Sequence, residues 1–232
     1  MKNVNVIANT DSPKFTFKRD ARFTRQEEIA NTVSHGIGTV FSVVALILLV
    51  IFAAKRGDAW HVVSFSIFGT SMLMLYISST FTHALPLGRL KDIFHNADQI
   101  AIYILIAGTY TPFALSVLRH DWGWVMFGIE WGLAFGGIML KMLMPNTFER
   151  GVNIIIIISY LLMGWLLLFF LVPLFKHMGP TGIGLIFLGG AFYTFGIIFF
   201  KMEKVKYGHL IWHLMVMAGS VSHWLAIMFY AL

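Results

Sequence analysis

The chain has 232 residues, 58% of them hydrophobic and only 12% charged, and a mean hydropathy of +0.77. A water-soluble domain carries roughly 25% charged residues, so the composition excludes one and points to an integral membrane protein. The formal net charge of +6 does not indicate nucleic acid, because the charges sit between apolar runs rather than along one basic face. Anionic membrane lipids are the partners that such charges suit. There is no Cys, which rules out disulfides and thiolate metal sites and leaves His, carboxylates and hydroxyls as ligands.

Residues 1–27 read as a polar, basic tail, with no apolar core and small-residue cleavage site of a signal peptide. Residues 28–232 read as one all-α bundle of seven transmembrane helices, each near the 20 or so residues that a bilayer requires. The first is expected over about Asn31 to Ala54 and the second over His61 to His83, across the turn Lys55-Arg56-Gly57-Asp58. The third is expected over Ala97 to Leu118 and the fourth over Trp122 to Leu143, the two parted by Arg119-His120-Asp121. Met144-Pro145-Asn146 then breaks the chain before the fifth, over Val152 to Leu171 with Pro173 closing it; the sixth runs from Pro180 to Phe200 and the seventh from Tyr207 to Tyr230. The longest connector, Ala84 to Asn96, has 13 residues. Thirteen Lys and Arg fall on the amino-terminal side of these spans and four on the other. The positive-inside rule therefore places the amino terminus in the cytoplasm, and an odd number of spans places the carboxyl terminus outside.

Ionisable groups within hydrocarbon are costly, so each raises a functional question. Ser79 and His83 are four apart at the end of the second span, and His209 and His213 are four apart near the start of the seventh. Residues at that spacing share a helix face and can reach one ion. Asp98 lies at the expected first turn of the third span. Because the second span runs opposite to the third and seventh, all five residues reach one depth near the cytoplasmic surface. Taken singly, such histidines more often mark packing or an interfacial position than a metal site; their common depth moves the balance toward a shared metal. Three neutral imidazoles leave a fourth coordination position open, as in a catalytic rather than a closed structural site. Glu28, Asn31 and His35 occupy one face at the start of the first span, either orienting the ligands from outside or, for Glu28 and Asn31, simply starting the helix. Asp98 likewise reads as a base or a helix cap, and Ser79 as an oxyanion donor or a hydroxyl bonded to its own helix.

These pieces, with Ala107-Gly108-Thr109-Tyr110-Thr111-Pro112 after Asp98, together resemble the hemolysin III proteins, the bacterial branch of the progestin and adiponectin receptor family. The resemblance implies seven helices in a bacterial inner membrane, a cytoplasmic amino terminus, and zinc held by His83, His209 and His213. It also brings in alkaline ceramidases as wider relatives. A zinc-dependent hydrolase of ceramide-like lipid amides follows, with Asp98 as base, Ser79 as oxyanion donor, Glu28, Asn31 and His35 behind the ligands, an amphiphilic lipid as substrate and membrane homeostasis as the setting. The competing expectation is a sensor, transporter or haemolytic pore with structural zinc. Glu130, Ser220, Ser222 and His223 lie in the outer half and stand apart from this set; His223 is 14 residues beyond His209, about 21 Å along a helix, too far to share its metal. It reads as a packing or interfacial residue. Gly136-Gly137 and Gly189-Gly190 are expected at close helix contacts, and Trp60, Trp122 and Trp124 at the outer membrane interface.

Overall fold

The computed structural model describes residues 23–143, 153–202 and 205–232. The basic tail up to residue 22, the break at residues 144–146, Arg150, the first residue of the expected fifth span at Val152, and Lys204 lie outside the described residues. Among those described, the chain is all helical: α1 (Arg25–Arg56), α2 (Ala59–Ala84), α3 (Arg89–Pro112), α4 (Gly123–Leu143), α5 (Asn153–Trp165), α6 (Leu171–Lys201) and α7 (Gly208–Tyr230). Six helical stretches are long and apolar enough to cross a membrane, with Ile154–Lys201 counted as one.

That one stretch is not straight. A 3-10 turn at Leu166–Phe170 joins α5 to α6, and Gly179 inside α6 takes φ 64°, ψ −177°, a conformation outside the helical region. Trp165 Nε1 donates to Thr194 Oγ1 at 3.1 Å, although 29 residues separate them. A continuous helix would hold those residues about 43 Å apart at 1.5 Å per residue, so the chain doubles back at Gly179, where only glycine adopts the required φ without strain. Pro173 does not close the fifth span; it sits in the first turn of α6, where its missing N–H costs no helical bond.

α3 begins at Arg89, well before the expected start at Ala97, and the connector behind it shrinks to residues 85–88. Hydropathy missed this segment because it is amphipathic: Leu90 and Ile93 face outward while Lys91 is buried. Beyond Pro112 the helix continues through a π-helical turn, Phe113–Val117. α1 begins at Arg25 rather than Asn31, started by a capping box in which Thr24 and Glu27 satisfy each other's backbone N–H.

Packing follows the logic of a bilayer, where lipid tails are as apolar as the core and close approach of small residues holds helices together. Large apolar side chains such as Val40, Phe135 and Phe169 point outward, and Tyr76, Tyr103, Phe65 and Phe68 are fully enclosed. One glycine of each pair serves a close contact: Gly137 lies against the Tyr103 ring and Gly189 against His223, while Gly136 has nothing near it.

Candidate metal centre

The site is assembled where α1, α2, α3 and α7 meet, and α1 organises it. Because Glu27 completes the helix cap, its Oε1 is left to accept the Tyr207 N–H at 3.0 Å. Tyr207 is the non-glycine residue with left-handed φ among those described (59°), and it caps the start of α7 two residues before His209 and six before His213. Glu28, the next residue, turns inward instead. Its Oε2 lies 2.6 Å from His83 Nδ1 and its Oε1 lies 2.9 Å from Lys91 Nζ. An ionised carboxylate only accepts, so His83 donates its Nδ1–H and carries its lone pair on Nε2.

A second bond orients His213 in the same way. Ser34 Oγ donates to Asn31 O at 2.9 Å and lies 2.9 Å from His213 Nδ1. With its hydrogen committed, Ser34 accepts from Nδ1–H, which again leaves Nε2 as the free lone pair. His83 Nε2 and His209 Nε2 face each other at 3.2 Å, and ligand nitrogens of His83, His209 and His213 all lie within 4.8 Å of one another. The three ring centroids are 4.6 to 5.0 Å apart. Nitrogens that share a tetrahedral zinc at about 2.0–2.1 Å stand about 3.3 Å apart, so the donor set fits such an ion. Two imidazoles are oriented by hydrogen bonds on their far nitrogens, the usual support for a metal-ligating histidine. This cluster could hold a metal ion.

The remaining expected residues are distributed unevenly around it. His35 is buried and stacks on His213 with centroids 3.5 Å apart and planes at 11°, and it makes a T-shaped contact with the Tyr76 ring. It is a plate behind a ligand rather than a fourth nitrogen of the cluster. Asn31 is buried too, but it meets the site through its backbone carbonyl, and its side-chain amide makes no hydrogen bond. Thr24 and Glu27 cap α1 and Glu28 lies beside them in its first turn, where a carboxylate also favours the helix start; Asn31, the seventh residue of α1, has no part in it.

Asp98 is the tenth residue of α3 and cannot be its amino-terminal cap. Ser79 is 1% exposed. Its neighbours Ser78, Thr80 and Thr82 all bond back to carbonyls of their own helix, whereas Ser79 makes no such bond and faces the Asp98 carboxyl. Both the capping reading of Asp98 and the self-bonded reading of Ser79 are thereby removed. The two residues and the three histidines line one cavity of about 1090 Å³ that runs inward past Tyr160, Trp165 and Tyr193.

Outside the cluster, His223 Nε2 donates to Ile186 O at 3.1 Å, and Gly189 makes room for its ring, which lines the same cavity farther from the three histidines. Ser220 Oγ joins Tyr76 OH and Tyr193 OH, each at 2.8 Å, and Ser222 bonds to its own helix. Glu130 on α4 is fully buried, neither of its oxygens has a hydrogen bond, and it does not line the cavity. At the opposite end of the bundle Asp58 caps α2, accepting from the backbone N–H of Trp60 and His61 and pairing with Arg119 at 3.1 Å. The hydrogen bond from His61 holds the Asp58 carboxyl below the usual carboxylate range. Trp60 and Trp124 pack edge-to-face beside it, and Trp122 is exposed.

Sequence reasoning missed Ser34 and Lys91. Ser34 had a faint signal, since it lies three residues after Asn31 and next to His35 on the inward face; Lys91 had none, being hidden in an apparent connector.

The family model described as "Haemolysin-III related" matches residues 23–224. The chain is 45% identical to a Bacillus subtilis (strain 168) protein named "Hemolysin-3 homolog" over 211 residues, 90% of this chain and 96% of that one. It is 42% identical to the Bacillus cereus "Hemolysin-3" over 207 residues, 89% and 93% of the two chains. A more distant likeness, 28% over 215 residues and covering 88% and 84%, is to the human "Monocyte to macrophage differentiation factor", a protein of the progestin and adiponectin receptor type. With its apolar helices and a match across nearly all the described bundle, the chain is a multi-pass integral membrane protein and belongs to the haemolysin-III-related family.

Proposed function

We propose that this protein is a zinc-dependent hydrolase of acyl amides of the ceramide kind, working from the cytoplasmic side of a bacterial inner membrane. The observation that carries the reading is the convergence of His83, His209 and His213 on one point of a cavity whose wall also carries Asp98 and Ser79. When bound, zinc would supply Lewis acidity at that point. The chain's own residues supply the rest. Asp98 holds or takes a proton at its carboxyl oxygen, Ser79 donates a hydrogen bond to negative charge developing on the acyl oxygen, and the apolar depth of the cavity accommodates an acyl chain. Glu28 and Ser34 keep the imidazoles oriented. The fold-back at Gly179 supports seven spans rather than six, and the loop charges support a cytoplasmic amino terminus.

Metal analysis of the purified protein beside a His209→Ala, His213→Ala variant tests the ion: zinc should be present in the first and absent from the second. Incubation with a panel of ceramides and acyl amides tests the chemistry. Fatty acid release that a chelator suppresses is the expected result; release insensitive to the chelator, or none from any substrate, counts against a zinc-dependent hydrolase. One observation favours a second reading, a structural clamp in a non-enzymatic sensor, transporter or pore. The histidines come from α2 and α7 and their partners from α1, so an ion there would tie three helices together. Zinc retained without turnover, together with loss of bundle stability on chelation, is the outcome that selects it.

A further inference from the structure

Lys91 is buried, 7% exposed, in the first turn of α3. A buried ammonium persists only when it is paired and hydrogen-bonded. Its Nζ donates to Glu28 Oε1 at 2.9 Å and to Leu85 O at 3.3 Å, Leu85 being the residue that ends α2 two positions after His83. Glu28 is thus held at both oxygens, by Lys91 at one and by His83 Nδ1–H at the other. A carboxylate with one free oxygen can rotate and release its imidazole; one fixed at both ends cannot. The chain of contacts ends at His83 Nε2, which faces His209 Nε2.

We propose that Lys91 is a positioning residue for the metal, fixing the Glu28 carboxylate so that His83 presents Nε2 to the ion. The inference rests on the zinc reading above and deepens it. Lys91 touches neither the ion nor the substrate in this role; it sets the affinity of the site through Glu28. A pair that merely joined α1 to α3 would have no reason to place its second carboxylate oxygen on a candidate ligand and its spare ammonium hydrogen on the carbonyl that ends the ligand's own helix.

The test uses the full chain in detergent or lipid, with zinc as the probe and a chelator in competition. Lys91→Met should weaken zinc binding about 10- to 100-fold, the range for loss of an outer partner. Lys91→Arg, which can still donate to Glu28, should bind zinc as the wild type does. In a Glu28→Ala background, Lys91→Met should change little further. In the metal-free protein the 15N resonances of His83 give an independent readout: protonated Nδ1 in the wild type and in Lys91→Arg, a mixture of tautomers in Lys91→Met. If Lys91→Met does not fold, Lys91→Leu, which likewise lacks a donor, takes its place. Equal affinity in wild type and Lys91→Met overturns the proposal while leaving the metal reading intact, as does an undiminished loss in the Glu28→Ala background or an equal loss in Lys91→Arg. A wild type that takes no zinc overturns both.

Discussion

The two ends of the bundle use the same vocabulary of histidine, carboxylate and cation, and do opposite things with it. Around Asp58 the side chains finish local backbone: the carboxylate caps the first turn of α2, His61 returns a bond to it, and Arg119 pairs from outside. Around Glu28 the carboxylate ignores its own helix and reaches α2 and α3, while Ser34 reaches α7. The first arrangement satisfies its members. The second turns the Nε2 atoms of His83 and His213 toward His209, with His83 Nε2 3.2 Å from His209 Nε2. What separates a structural from a chemical cluster of histidines is thus the fate of the second ring nitrogen, which counting residues or measuring burial does not capture.

Breaking the histidine end should remove metal and spare the fold. His83→Ala has the largest expected effect, a fall in zinc affinity of more than about 100-fold, beyond the range for an outer partner; an unchanged affinity by chelator competition would separate the cluster from any metal. Ser34→Ala should weaken binding about 10- to 100-fold. Ser42→Ala on the same helix is the control, because the Ser42 hydroxyl bonds only to the Thr39 carbonyl among the described contacts, and it should leave affinity unchanged. Gly38→Val tests the packing behind the site. A Cβ there would lie 2.5 Å from Tyr76 Cδ1, and displacing that ring from its bond to Ser220 should lower stability by about 1–3 kcal/mol in a denaturation measurement.

Breaking the opposite end should do the reverse, with the smallest effect. Asp58→Ala should lower the melting temperature by a few degrees and leave zinc untouched. The sign of its pH dependence is fixed by the direction of the shift. A carboxyl held below its unfolded value stabilises the fold fully above about pH 4, and that contribution disappears on acidification through the folded value. The gap in melting temperature between wild type and Asp58→Ala should therefore be full at pH 7 and close as the pH falls below about 4.

The common depth of His83, His209 and His213 was legible because it needs only helix spacing and alternating direction along the chain, both of which hydropathy supplies. The partners were not. Ser34 sits in an apolar span where a serine ordinarily bonds to its own helix, as Ser78 and Ser222 do here, and only the approach of α7 gives it a second role. Lys91 was invisible because an amphipathic turn lying along the bundle has too little net hydropathy to be read as helix. The same blind spot moved Asp98 from a helix end to a helix interior. At Pro173 the error ran the other way: a residue taken as a stop sits where a helix restarts after its 3-10 turn.

The pairing of Ser34 with His213, of Glu27 with Tyr207 and of Trp224 Nε1 with Ala45 O places α7 directly against α1. The bundle is therefore a closed ring, and its seam joins α1 to α7, the first and last of the described helices. Two candidate ligands lie on α7, and Ser34 of α1 supports one of them, His213, so the site draws on both sides of the seam. Occupancy of the seam would report that every intervening helix has been threaded into the membrane in its proper direction.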